Sequence, residues 1–271
     1  GIILPMLPHK NLIPDINLTP YSIWLATVVV SGISYLSYLL KRYVFHESGV
    51  LVSGIIGGLY SSTATISVLA RKSRKASAQE ANEYVAAMLL AVSMMFLRFM
   101  ILILIFSREI FMSIYPYLLI MSVVAAVVAW FIHSRQRRSK DLSADSEEED
   151  SSNPLEFKVA LIFATLFVIF TVLTHYTLVY AGTGGLNLLS FVSGLSDITP
   201  FILNLLQNTG SVAVLIVVAC SMQAIISNIL VNMFYALFFA GKGSKLRPWI
   251  LGGFGTVIGV NLVLLLFFYF I

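Results

Sequence analysis

The sequence predicts an all-α polytopic membrane protein built from two inverted repeats, each with three transmembrane helices and one broken, re-entrant helical segment. Of the 271 residues, 58% are hydrophobic and only 11% are charged, which leaves too little polar surface to coat a soluble globule of this size. Apolar stretches of about 20 residues, the length that crosses a bilayer, recur along the chain. Two similar polar, glycine-bearing interruptions lie at matching places in its two halves.

The apolar stretches predict six full spans and divide the chain into four parts. The spans are residues 21–40, 84–106, 115–132, 157–179, 212–240 and 249–271. The parts are residues 1–20, the end of a preceding segment; 21–133, the first repeat; 134–153, a charged linker; and 154–271, the second repeat. The linker lacks apolar periodicity and carries an acidic run, so we expect it to be solvated. Because Pro5 and Pro8 cut short an apolar start, we expect further sequence upstream.

The interruptions are GGLYSSTAT at residues 57–65 and SGLSDITP at residues 193–200. Backbone groups without helical partners are costly in a bilayer, and paired interruptions are typical of substrate sites built from broken helices of an internal repeat. Placing Gly58 on Gly194, 136 residues later, brings Thr63 onto Thr199. A shift of 134 puts Arg98 on Asn232. Chance similarity among apolar helices is the alternative, because few positions match.

Charge counting tests the topology separately. Without Arg98, the other 16 Lys and Arg residues divide ten to six if both interrupted segments cross fully. They divide 14 to two if each segment returns to its own side, with only Lys10 and Arg108 opposed. The positive-inside rule favours the second arrangement, which inverts the second repeat and makes the linker cytoplasmic. A tilted crossing of about 20 residues is the alternative.

The first interruption predicts a helix that begins inside the membrane. Gly57 and Gly58 permit backbone angles closed to other residues, and Ser61 or Ser62 can cap the N-terminus of a short helix. Such an end presents free N–H groups and partial positive charge. The hydroxyls able to bind an ion there are those of Ser61, Ser62, Thr63 and Thr65. Alternatively, they bond back to their own helix.

Two GxxxG pairs add a packing signal. They are Gly54 with Gly58 and Gly255 with Gly259. Small residues at this spacing let helices approach closely, so both pairs predict tight helix packing.

The second interruption contains Asp197, the only acidic residue within the predicted membrane segments. A carboxylate in hydrocarbon needs a cavity, a cation, a proton or a counter-charge, and Arg98 is the natural counter-charge. We therefore predict an ion site at the midplane where the two broken helices meet. Further candidate ligands or lining residues are Ser196, Thr199, Asn228 and Asn232, and Gly194 is a structural glycine. The alternatives are a helix cap for Asp197, snorkelling for Arg98 and interhelical hydrogen bonds for the asparagines.

The predicted function is a transporter or channel. Carboxylate and hydroxyl oxygens favour a cation, divalent cations included. An anion bound by Arg98 and helix N-termini is one alternative, and a non-transporting regulatory or assembly module is another. The expected partners are the lipid bilayer, a small inorganic ion and a second copy of the chain in a dimer.

Other functions are disfavoured. Nearly all of the basic residues behind the net charge of +4 lie beside the spans. Membrane orientation and contacts with lipid headgroups explain such residues better than nucleic-acid binding does. No phosphate-binding GxxxxGK[ST] loop, HxxxH pair or CxxC pair occurs, so we expect no cofactor and no metal centre, although a metal ion as permeant stays open. Residues 194–197 are similar to the GxGD motif of intramembrane aspartyl proteases, but a second intramembrane Asp is missing, so we expect no enzyme.

The motifs also resemble a known family. GGLYSSTATISVLARKS, then a span with an intramembrane Arg, and later GLSD before a span bearing Ser and Asn, are similar to a bacterial membrane domain of unknown function often found C-terminal to an MgtC/SapB-like domain. The resemblance covers almost the whole chain. It implies a multi-pass protein of the prokaryotic inner membrane with an MgtC-like part upstream. The family's second motif is closer to GL-x-D-x-D, so only Asp197 carries over from it.

Overall fold

The computed structural model describes residues 3–14, 16–44, 49–74, 81–135, 157–207, 212–241, 244 and 246–270. Within these ranges the chain folds into eight α-helices and no strand. They are α1 (Pro20–Leu39), α2 (Val50–Lys72), α3 (Ala81–Phe106), α4 (Arg108–Ser134), α5 (Phe157–Ser193), α6 (Ile198–Gln207), α7 (Val214–Ala240) and α8 (Arg247–Phe270). The all-helical class is confirmed. Most of the predicted charged linker, residues 136–153, lies outside the described part.

Seven of the described helices, all except α6, are long and apolar enough to cross a bilayer. The protein is therefore a multi-pass membrane protein. The seven include the six predicted spans and α2, which holds the first interruption. Helix α6 has 10 residues, all but the last of them buried, and follows the second interruption.

Helix α2 is not straight. Ser61 has extended backbone angles, φ −157° and ψ 107°, inside an otherwise helical segment. A straight helix would hold Gly57 and Thr65 about 12 Å apart, yet a Cβ atom on Gly57 would overlap the Thr65 side chain. The segment therefore bends sharply at Ser61. We call residues 50–72 the first bent segment and Ser61 its tip, and we call the helical part on each side of a tip an arm.

Helix α5 bends in the same way, at a position that the sequence analysis missed. The helix continues past the predicted end at residue 179 as far as Ser193. Gly182 interrupts it with φ 58° and ψ −151°, angles that favour glycine. A Cβ on Gly185 would lie 2.8 Å from the Thr177 side chain, eight residues earlier. The chain thus folds back at Gly182. We call residues 183–207 the second bent segment and residues 194–197 its tip.

The chain forms two compact units. The Asp197 unit comprises Gly1–Gly32, Met100–Tyr115 and Pro154–Asn228. The Arg98 unit comprises Ile33–Phe99, Pro116–Asn153 and Ile229–Ile271. The second bent segment belongs to the Asp197 unit and the first bent segment to the Arg98 unit, and each is described below within its own unit.

Candidate functional site

The first bent segment packs against α3 through its glycines. A Cβ on Gly58 would lie 2.5 Å from the Ala91 Cα and 2.6 Å from its carbonyl oxygen, and a Cβ on Gly54 would overlap Ala87. This close approach explains the first GxxxG pair. The expectation of unusual backbone angles at Gly57 and Gly58 is wrong, because within α2 only Ser61 departs from helical angles. The glycines serve packing, and the break lies three residues later.

The tip of this segment is held from both sides. Ser61 Oγ accepts a hydrogen bond from the Ala64 N–H at 3.3 Å, which caps the helix that restarts there. The Tyr60 carbonyl, at the end of the preceding arm, accepts a hydrogen bond from Arg98 Nη1 at 2.8 Å. The predicted cap is therefore at Ser61. The Arg98 guanidinium has a structural task in addition to its charge, because it supplies a donor to a carbonyl at the broken end of a helix.

The other hydroxyls of the first interruption lie in the arm after the tip. Ser62 is buried, and Thr63 and Thr65 are half-buried. The Thr63 carbonyl accepts the Ser67 hydroxyl at 2.8 Å, so back-bonding, the alternative weighed for these hydroxyls, does occur one turn further along the helix. These groups lie in the Arg98 unit together with Ser61, Arg98 and Asn232.

The second bent segment packs against α7 through polar contacts. Ser190 Oγ donates to Gln223 Oε1 at 2.8 Å, and Ser227 Oγ donates to the Phe191 carbonyl at 2.7 Å. Further on, Asn228 Nδ2 donates to the Gly194 carbonyl at 3.3 Å. Because the contacts advance together along both elements, the arm and α7 run in the same direction.

The tip of the second bent segment carries Asp197. Its Oδ1 accepts the Thr199 N–H at 2.9 Å, so the predicted cap of α6 exists. Asn228, which is only 4% exposed, donates from Nδ2 to the carbonyls of Gly194 at 3.3 Å and Ser196 at 3.4 Å. Asp197 and Ser196 are exposed, whereas Thr199 is buried. The Asp197 unit therefore brings four predicted site residues together.

The two tips correspond in detail. A shift of 136 residues carries the Gly58 contact with Ala91 onto the Gly194 contact with Ser227. The same shift carries the Ser61 cap onto the Asp197 cap. It also carries the Tyr60 carbonyl onto that of Ser196, and each accepts a side-chain donor from the following long helix.

The donor in the second half is Asn228, whereas the sequence alignment paired Arg98 with Asn232. Asn232 is fully buried and belongs to the Arg98 unit. Asp197 and Arg98 lie in different units, so their pairing at one midplane site stays a prediction.

Helix α6 is anchored by contacts that the sequence analysis missed. Asn204 Nδ2 donates to Thr171 Oγ1 at 2.6 Å, and the rings of Phe170 and Phe201 meet edge to face. Gln207 Nε2 lies 3.4 Å from the Ser22 carbonyl in the first turn of α1. Polar residues inside apolar helices were the available signal, but they do not name their partners.

Several cations gather at one end of the Arg98 unit. Arg74 Nη2 donates to the Phe238 carbonyl at 3.3 Å, and Arg71 lies over the Phe239 ring at 4.7 Å. The ends of α2 and α7 therefore share one end of this unit. A Cβ on Gly253 would lie 2.7 Å from the Leu89 side chain and 3.2 Å from that of Ile132. The start of α8 thus lies beside the start of α3 and the end of α4. The described cations at this end are Arg71, Lys72, Arg74, Arg135 and Arg247.

Comparison with known proteins places these features in a family. Residues 28–240 match the family described as Domain of unknown function (DUF4010). An uncharacterized protein of Aquifex aeolicus (strain VF5) is 26% identical over 220 residues, which cover 80% of this chain and 94% of that protein. No solved structure matches the chain.

Proposed function

Since the chain belongs to the family described as Domain of unknown function (DUF4010), we propose, from the geometry of its tips, that it is a membrane transporter or channel with a cation site at Asp197. In this proposal both bent segments are re-entrant, and the two halves of the chain are inverted repeats. The charged linker is cytoplasmic and the membrane is the prokaryotic inner membrane.

The contact between the ends of α2 and α7 supports a re-entrant second bent segment. If that segment crossed fully, the crossings between Arg74 and Phe238 (α3, α4, α5, the segment itself and α7) would be odd in number, and the two residues would emerge on opposite faces of the membrane. They are hydrogen-bonded. The cations around them fit the arrangement in which 14 of 16 Lys and Arg residues share one side, the side that the positive-inside rule assigns to the cytoplasm.

The depth of the second tip supports a site near the midplane. Asn228 lies at the middle of α7, whose 27 residues extend over about 40 Å. Because Asn228 binds the tip carbonyls, the tip lies level with the centre of a spanning helix. Corresponding contacts at the first tip support the internal repeat. Three crossings per half then give the repeats opposite orientations.

One observation carries the functional proposal: the Asp197 side chain is exposed at this depth. A carboxylate facing hydrocarbon is costly, so water or a cation must reach it. One oxygen accepts the Thr199 N–H, and the carboxylate keeps further lone pairs for a ligand. With the Ser196 hydroxyl beside it, the tip offers the hard oxygen ligands that alkali and alkaline-earth cations prefer.

Arg98 would be central to the anion alternative. Its bond to the Tyr60 carbonyl gives the guanidinium a structural role, which makes a cation at Asp197 the better-supported permeant. Divalent cations are the first to test, because carboxylate and hydroxyl oxygens are ligands that they prefer. A module without transport activity is the remaining alternative.

Ion flux into liposomes that contain the purified chain tests the proposal. We expect the parent protein to carry cations. In Asp197→Asn the cation flux should fall about tenfold or more, because the charge that attracts the cation is removed. The matched control is Glu109→Gln, which removes a carboxylate from the exposed start of α4 and should leave flux unchanged. A parent that carries no ion under any gradient would favour the assembly module. Anion flux lost in Arg98→Met but kept in Asp197→Asn would favour the anion alternative.

A further inference from the structure

Thr174 lacks the hydrogen bond that several other threonines of the spans make. The buried Thr27 and Thr171, and the exposed Thr165 and Thr256, each donate their hydroxyl to the carbonyl four residues earlier. Thr174 is 2% exposed, yet its Oγ1 has no hydrogen-bond partner. A buried hydroxyl without a partner destabilises the fold, so the exception calls for a physical cause.

Thr174 lies on α5 between two contacts of this helix with the second bent segment. One turn before it, Thr171 binds Asn204 of α6. One turn after it, Thr177 lies against Gly185 of the other arm. Thr174 is therefore flanked by both arms on the helix against which they pack.

We propose that Thr174 holds one buried water molecule, which bridges its Oγ1 to the Phe170 carbonyl oxygen. That carbonyl is the acceptor that the Thr174 hydroxyl would use if it bonded back to its own helix. A water needs two to four polar partners; the hydroxyl can donate and accept, and the carbonyl has a second lone pair. This neutral pair suits water better than a cation, because burying a charge without a carboxylate is costly.

The interface between the second bent segment and α5 would then contain one ordered water molecule. Bridging waters hold polar groups nearly as well as direct hydrogen bonds do. The proposed water does not depend on the transport function, so it would be expected even if the protein carried no ion.

Thr174→Val tests the proposal because valine has nearly the same shape and lacks the hydroxyl. If the hydroxyl holds a water, the variant strands that water and the melting temperature should fall by about 2–4 °C. If the hydroxyl has no partner, its removal should raise the melting temperature. The matched control is Thr165→Val on the same helix, whose exposed hydroxyl bonds back to Leu161 and whose loss should change little.

A density map of the parent protein gives a test that needs no variant. At a resolution that shows ordered water, we expect one peak within hydrogen-bond distance of both Thr174 Oγ1 and the Phe170 carbonyl. No peak there, or a peak surrounded by five or more oxygens as for a metal ion, would overturn the proposal. So would a melting temperature that rises in Thr174→Val.

Discussion

Arg98 and Asn228 perform the same local task with different chemistry. Each donates from a long helix to a carbonyl at the end of a broken arm, Arg98 to Tyr60 and Asn228 to Ser196. A carbonyl that has lost its helical donor must find another inside a membrane. The sequence identified both residues as unusual for a span. It could not identify their partners, because an intramembrane arginine predicts a need for acceptors and does not specify which ones.

At this scale we expect Arg98→Met to destabilise the fold. Methionine has similar length but no donor, so the Tyr60 carbonyl loses a charge-assisted bond worth about 1.5–3 kcal/mol. Thermal unfolding of the purified protein measures the loss. The control is Arg108→Met at the exposed start of α4, where the effect should be within about 0.5 kcal/mol. Equal melting temperatures for the two variants would show that the Arg98 hydrogen bond does not stabilise the fold.

At the scale of elements, the sequence predicted the positions of two helix breaks but not the backbone geometry of the breaks. Both interruptions lie where broken helices occur, and Ser61 and Asp197 cap the arms that follow. The bend at Gly182 was missed because glycine is common in membrane helices and a lone positive φ leaves no periodic signal. The two GxxxG pairs are alike in sequence, yet Gly54 and Gly58 approach α3 closely while Gly255 and Gly259 face open space. Only the neighbouring element decides between these outcomes.

The two glycine pairs give a matched prediction. Gly58→Ala places a Cβ against the backbone of Ala91, so the first bent segment must move away from α3, at a cost of roughly 1–3 kcal/mol. Gly255→Ala, with nothing within reach, should cost less than about 0.5 kcal/mol. Melting temperatures of both variants check the difference. A larger loss in Gly255→Ala would mean that α8 is covered by something outside this chain.

If the proposed transport function holds, the correspondence of the tips predicts that the carboxylate can be moved from the second tip to the first. Serine and aspartate are equally good helix caps, so Ser61→Asp and Asp197→Ser should both fold. We expect Asp197→Ser to lose flux and the Ser61→Asp/Asp197→Ser double variant to regain part of it, because one tip again bears a carboxylate. Melting temperature and flux are measured on the same preparations. A double variant that folds but stays inactive in a background where the parent transports would show that the tips are not equivalent.

At the scale of the whole molecule, the re-entrant arrangement makes a labelling prediction. Single cysteines at Lys72, Ser134 and Ser244, introduced into a Cys220→Ala background, should react with an impermeant reagent from the same face. A cysteine at Ser107, between α3 and α4, should react from the opposite face and serves as the control. If Lys72→Cys and Ser244→Cys were labelled from opposite faces, the second bent segment would cross the membrane and the inverted repeat would be lost.

The arm of the first bent segment that follows Ser61 is attached at both of its ends within the Arg98 unit. At its tip, Ser61 caps the restarted helix and Arg98 binds the neighbouring Tyr60 carbonyl. At its outer end, Arg74 binds the Phe238 carbonyl and Arg71 lies over the Phe239 ring. Local opening of this arm would have to break both attachments, so its amide hydrogens should exchange with solvent more slowly than those of a helix held at one end only.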